Sequence, residues 1–151
     1  MRLRDKVAIV TGGSKGIGEA ITLRLAAEGA SVVVIGRDLI AAQKVAARLK
    51  KRKKAALAIR TDVSCKAEVD AMVKKVIAEF GRVDILVNNA GMAVVGASAE
   101  LEESRWREGI DVMLTGVFFC SQAAGKEMIK QKSGKIINIA PINGIGATGG
   151  N

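Results

Sequence analysis

Short β-branched apolar runs alternate along this chain with longer stretches whose apolar residues recur every three or four positions. The runs at residues 6–10, 31–35, 55–61, 83–87 and 135–140 have the length and composition of strands buried on both faces. Between them, helical spacing predicts helices over 16–28, with Ile21 and Leu25 on its apolar side, and over 39–50, with Val45 and Leu49. A third helix starts at Ser64 as its cap, carries Ala67, Met72, Val73, Val76, Ile77 and Phe80, and ends at Gly81. A long fourth helix runs from about 102 to 131 with Trp106, Ile110, Met113, Leu114, Val117, Phe118, Ala123 and Met128, weakened midway by Gly116. Strict alternation of strand and helix implies one α/β domain, a doubly wound parallel sheet with right-handed crossovers and helices on both faces.

The turn after the first strand, Thr11-Gly12-Gly13-Ser14-Lys15-Gly16-Ile17-Gly18, is where chemistry first enters. Glycine lets a ligand approach the main chain, and the following helix offers free N–H groups and the positive end of its dipole, which together cradle a phosphate. The spacing Gly12, Gly16, Gly18 is neither the G-x-G-x-x-G fingerprint nor the P-loop, so taken alone the turn is equally a glycine-rich turn of any α/β protein. Its position changes the balance. In a doubly wound sheet the glycine turn, Arg37, Asp62, Asn89 and Pro141 all fall beyond the carboxyl ends of the strands, where such sheets bind ligands.

Charge and composition exclude some partners. The net charge is +9, but residues 1–75 hold 17 Lys/Arg against 7 Asp/Glu while residues 76–151 hold 7 against 8. Much of the excess is the run Lys50-Lys51-Arg52-Lys53-Lys54, a solvated helix end with no aromatic platform, which argues against nucleic acid. No apolar run approaches a membrane span, and the first residues have no signal-peptide pattern, so a cytoplasmic protein is expected. Cys65 and Cys120 are far apart and the chain has no histidine, so reduced thiols and no metal site are expected.

Thr11 through Gly18, Asp62-Val63 and Asn88-Asn89-Ala90-Gly91, in that order and with Leu114-Thr115-Gly116 and residues 134–139 after them, resemble the motifs of the short-chain dehydrogenase/reductase family over the whole chain. The resemblance implies a Rossmann-like sheet with strand order 3-2-1-4-5, lacking the family's last two strands. It also implies a nicotinamide dinucleotide held by Gly12, Ser14, Lys15, Gly16, Ile17 and Gly18 at the phosphates, Asp62 and Val63 at adenine, and Asn89, Ala90 and Gly91 further along. The position where an NAD enzyme places an acidic residue is Gly36 here. Arg37 follows it and Lys15 stands in the turn, so NADP(H) is expected over NAD(H), with Asp38 either repelling the 2′-phosphate or pairing with Arg37.

The family's proton-transfer residues do not carry over. Met113 stands at the family's asparagine and Pro141 at its serine, and the chain has no tyrosine, hence no Tyr-x-x-x-Lys. Ser121, Ser133 and Lys126 read as helix-surface and turn residues. The expectation is therefore residues 1–151 as a single dinucleotide-binding domain, truncated before the catalytic segment and inactive alone, whose whole would interconvert an alcohol and a carbonyl by hydride transfer. The alternative is a degenerate member that binds nucleotide or pairs with a relative without turnover. The resemblance further implies homo-oligomers through the long helix at 102–131, and the fifth strand is expected to present an uncovered apolar edge.

Overall fold

The structure, a computed structural model, describes residues 1–52, 54–97 and 99–140. Pro141 and the turn-like stretch after it lie outside these residues, as do Lys53 and Ser98. Five strands form, β1 (Val7–Thr11), β2 (Ser31–Gly36), β3 (Ala56–Arg60), β4 (Ile85–Asn88) and β5 (Lys135–Asn138), all parallel and in the order β3-β2-β1-β4-β5. The register places Val10 beside Val34 and Val87, and Val34 beside Ala58. Because side chains alternate along a strand, β1 and β2 serve two cores at once. Val7, Ile9, Val33 and Ile35 face α3 (Lys66–Phe80) and α5 (Gly116–Lys130), while Ala8, Val10, Val32 and Val34 face α1 (Gly16–Ala27) and α2 (Leu39–Lys51).

The helices form where the spacing places them, but several faces differ from expectation. In α1 the fully buried positions are Gly18, Thr22 and Ala26, a seam of small residues that brings the helix close to the sheet; Ile21 and Leu25 flank it, partly buried. In α3 Ala67 is exposed and Val69 is buried, so the inward stripe is Val69, Met72, Val73 and Val76. Ser64 does not cap that helix. Its N–H and hydroxyl both donate to Asp62 Oδ1, at 3.0 and 2.6 Å, and Cys65 takes the N-cap position without a side-chain bond.

The long fourth helix is two helices joined by a π-helical turn: α4 (Glu103–Ile110), the turn Asp111–Thr115, then α5. Gly116 directly follows that turn. A Cβ there would stand 2.8 Å from Val63 Cγ2, so glycine lets the helix close onto the segment after β3. The extra residue of the π turn rotates the faces before and after it. As a result Val112, Cys120, Ala123 and Met128 are buried, whereas Trp106, Met113, Leu114 and Phe118, expected on the apolar face, are exposed. Ser121 is not a free surface residue either; its hydroxyl accepts from buried Asn88 Nδ2 at 3.0 Å.

At the amino end of the sheet, Asp84 is 5% exposed and accepts from Val7 N at 2.9 Å, Arg82 Nε at 2.7 Å and Lys6 Nζ at 3.2 Å, joining the starts of β1 and β4. β5 pairs with β4 and is the last strand in the order of the described sheet, with all four of its residues exposed.

Candidate functional site

The crevice opens where β1 hands over to β4 at the carboxyl edge, between a crossover to one side and a crossover to the other. Thr11 is its anchor. The buried hydroxyl accepts from Asn89 N at 2.9 Å and Ala90 N at 3.0 Å and donates to the Val87 carbonyl at 3.3 Å. The Asn89 side chain returns across the gap and donates to Thr11 O at 3.1 Å and Gly12 O at 3.3 Å. The glycine turn and the Asn-Asn-Ala-Gly loop are thereby locked to each other through four cross-loop hydrogen bonds.

Two glycines are dictated by this packing. Gly12 has φ +63°, and a Cβ on it would meet Ala90 Cα at 3.0 Å. A Cβ on Gly18 would overlap the Gly12 carbonyl and the Asn89 amide. The first turn of α1 consequently lies against the loop, and Lys15, its N-cap residue, gives it no side-chain cap. Its amino end therefore retains main-chain donors for an anion. Ser14 and Lys15 stand beside it, and Ile17 is exposed at the rim.

Two clefts flank this turn. One, with a cavity volume of about 110 Å³, is lined by Gly36 and Arg37 after β2, Thr61, Asp62 and Val63 after β3, and Val112 from the π turn, over a floor of Gly12, Ala90 and Gly91. The Asp62 carboxyl lies below its ordinary value, chiefly because the Ser64 hydroxyl donates to it; burial pushes the other way, and Arg37 and Arg60 add to the lowering. The Thr61 hydroxyl is buried with no hydrogen-bond partner among the described residues. The second cleft is lined by Ile17, Asn88 through Met92, Met113, Val117 and residues 138–140, and it meets the first at Ala90 and Gly91. Its described lining contains no titratable side chain, and Met113 opens onto it. A thioether cannot donate a hydrogen bond.

The structure thus brings Gly12, Ser14, Lys15, Gly16, Ile17, Gly18, Arg37, Asp62, Val63, Asn89, Ala90 and Gly91 to one edge of the sheet. It differs over Asp38, which pairs with Lys15, Nζ to Oδ2 at 3.3 Å, and not with Arg37. Asp38 also caps α2 by accepting from Ala41 N at 3.0 Å, and that bond, with Lys15 second, holds its carboxyl below the ordinary value. Thr61, Val112, Met92 and Val117 were not anticipated as lining residues. Val112 could not be placed by a helical period, since the π turn decides where it points.

Among the described residues no group of three or more His, Cys, Asp or Glu is placed to hold a metal, and no helix is long and apolar enough to cross a membrane. A glycine cradle at a helix start, at the switch point of a five-stranded parallel sheet, defines a doubly wound, Rossmann-like α/β protein. A family model for short chain dehydrogenases matches residues 6–150, and the chain belongs to that family. It is 40% identical over 149 residues to a hydroxy(phenyl)methylsuccinyl-CoA dehydrogenase subunit of Thauera aromatica, covering 99% of this chain and 60% of the relative. It is 42% identical over 144 residues to a 3-oxoacyl-(acyl-carrier-protein) reductase of Synechocystis sp., covering 95% of this chain and 58% of that one. Among solved structures, a metagenomic short-chain oxidoreductase in complex with NADP superposes with a TM-score of 0.92 at 34% identity, over 98% of this chain and 67% of that one. An NAD+-bound xylitol dehydrogenase superposes with a TM-score of 0.94 at 29% identity, over 98% of this chain and 57% of that one. The chain therefore spans about three fifths of the length of the curated relatives it matches.

Proposed function

We propose that this chain is the dinucleotide-binding part of an NADP(H)-dependent oxidoreductase that interconverts an alcohol and a carbonyl. The observation that carries the reading is the cradle itself. Thr11, Gly12 and Asn89 satisfy one another, with Gly18 packed close against them, while the uncapped start of α1 and the cations Lys15 and Arg37 are left at the crevice. The glycines fit a pyrophosphate because main-chain donors there are not obstructed by side chains. Gly12, Ser14, Lys15, Gly16, Ile17 and Gly18 would hold the phosphates, with Lys15 joining Arg37 at the 2′-phosphate, Asp62 and Val63 would hold the adenine, and Asn89, Ala90 and Gly91 would contact the dinucleotide further along. When bound, the dinucleotide supplies or accepts a hydride. The assignment of NADP(H) over NAD(H) rests on Gly36, which has no carboxylate to repel a phosphate, and on the planar guanidinium of Arg37 beside it.

Fluorescence titration of the chain with NADPH and NADH tests the reading. NADPH binding at least about tenfold tighter than NADH is expected, equivalent to ~1.4 kcal/mol. Equal affinities would remove the NADP assignment, and binding of neither would remove the dinucleotide reading.

A second reading, binding without turnover, is favoured by Met113 and by a second cleft whose described lining offers no acid or base. On either reading the 151 residues form one binding domain and do not complete a reductase unaided, because the sequence has no tyrosine. We also infer that the long helix pairs with that of a second copy, a reading supported by exposed Trp106 on α4 and by exposed Leu114 and Phe118, four residues apart. The free thiols of Cys65 and Cys120 are in keeping with a cytoplasmic protein.

A further inference from the structure

The two cations at the phosphate end of the crevice are not equivalent. Arg37 is exposed and has no ion-pair partner among the described residues. Lys15 is engaged, its ammonium 3.3 Å from Asp38 Oδ2, while Asp38 Oδ1 is fixed by the Ala41 N–H at 3.0 Å. The carboxylate is therefore pinned to the start of α2, and the pair bridges the amino ends of α1 and α2. It also stands as a wall between two clefts. On one side lies the crevice with Gly36 and Arg37; on the other lies the α1–α2 groove with Ile40 and Lys44; Ser14, Lys15 and Asp38 line both. Arg48, also in that groove, is held by Glu19.

We propose that Asp38 is a specificity-determining counter-ion, which Lys15 must exchange for the 2′-phosphate of the ligand, so that this exchange sets how strongly a phosphorylated adenine nucleotide is preferred. The inference rests on the dinucleotide reading above and adds a residue that opposes binding. The pair is exposed on both sides and therefore weak enough to be exchanged, yet it is not free to break. Lys15 is 73% exposed, so its flexible stem can swing; Asp38, bound to Ala41, stays in place. A ligand without the 2′-phosphate offers Lys15 no replacement and leaves the pair intact.

The test uses adenosine 2′,5′-bisphosphate and AMP, titrated calorimetrically into the chain and its variants at low salt. Asp38→Asn removes the charge and retains a good helix cap. It is expected to tighten the bisphosphate about fivefold and leave AMP within about twofold. Asp38→Ser, a second neutral cap, should behave alike, with unfolding midpoints confirming that both fold. In a Lys15→Gln background the gain from Asp38→Asn should fall below about twofold, since no ammonium remains to be released. A gain that persists without Lys15, or that is shared equally by AMP, or no gain at all in a chain that binds the bisphosphate, overturns this inference alone. A wild-type chain that binds neither nucleotide overturns it together with the dinucleotide reading.

Discussion

Replacing Thr11 by valine removes one hydroxyl and keeps the branched shape of the side chain, so it isolates the bonds that tie the two loops of the site together. The residue is 1% exposed. Its hydroxyl is the acceptor for Asn89 N and Ala90 N and a donor to the Val87 carbonyl. Valine would leave two main-chain N–H groups facing a methyl group. Each buried donor without a partner costs about 1–3 kcal/mol, and the partial access of residues 89 and 90 to the crevice places each near the lower end. The sum is about 2–4 kcal/mol, with little cavity contribution because the volume is retained. Thr11→Ser keeps the hydroxyl and loses a methyl group, at about 1 kcal/mol.

Equilibrium urea unfolding followed by circular dichroism reads the difference, provided the slope m is unchanged between variants. The expected order of midpoints is wild type, then Thr11→Ser, then Thr11→Val. A loss of 2–4 kcal/mol is large beside the roughly 5–15 kcal/mol total of an ordinary domain, so Thr11→Val should also lower the thermal midpoint by several degrees. NADPH affinity should fall in the same variant, because Asn89 loses the bond that sets its main chain against β1. A Thr11→Val midpoint equal to or above that of Thr11→Ser would refute the claim that this hydroxyl joins the site.

Gly18→Ala should abolish nucleotide binding and lower the unfolding midpoint, since its Cβ overlaps the Gly12 carbonyl and the Asn89 amide, whereas Gly125→Ala, with nothing within 4 Å, should stabilise α5 by about 0.5–1 kcal/mol; the sign of the two midpoint shifts checks both. Asp84→Ala should cost about 3 kcal/mol in urea unfolding, because it strands the Val7 N–H and the paired cations; a loss below about 1 kcal/mol would contradict the arrangement. Glu28 is held at a pKa of about 2 by the Arg2 side-chain hydrogen bond first, so its contribution to stability is complete above pH 4.5 and is lost as pH falls from 4.5 toward 2. Glu28→Gln should therefore flatten the fall in unfolding midpoint across that window, and an unchanged slope would show that the carboxyl is not so held. Leu114→Glu with Phe118→Glu should convert an associated species to a monomer in sedimentation velocity without loss of helical signal.

The strands were legible because strands buried on both faces, such as Val7–Thr11 and Ser31–Gly36, leave little room for polar positions. Helix ends were legible where backbone chemistry marks them, as at Gly81 with φ +74°. Faces were less so. Ala67 and Val69 both fit an apolar stripe until the packing of α3 on α5 chooses one, and the π turn shifts every position after Asp111 by a fraction of a turn that a fixed period cannot express. Among the site residues, motif spacing located the glycines but not their partners. Thr11 and Asn89 are 78 residues apart, and the Asp38–Lys15 pair spans 23. Contacts at that separation follow from the topology of the sheet, not from a local pattern.

The same topology separates binding from chemistry. Thr11, Gly12 and Asn89 spend polar groups on one another and Gly18 packs against them, so the cradle is completed by described residues that form part of the fold itself. The second cleft has no such closure. The polar side chains of its described lining are Asn88, Asn89 and Asn138, and Asn88 is already committed to Ser121 and Asn138 at 3.0 and 2.9 Å. An amide network can orient a ligand but cannot take up a proton near neutral pH. Substitutions at Met113 are therefore expected to leave the cradle and its nucleotide affinity intact, while Thr11 and Gly18 variants lose both stability and binding.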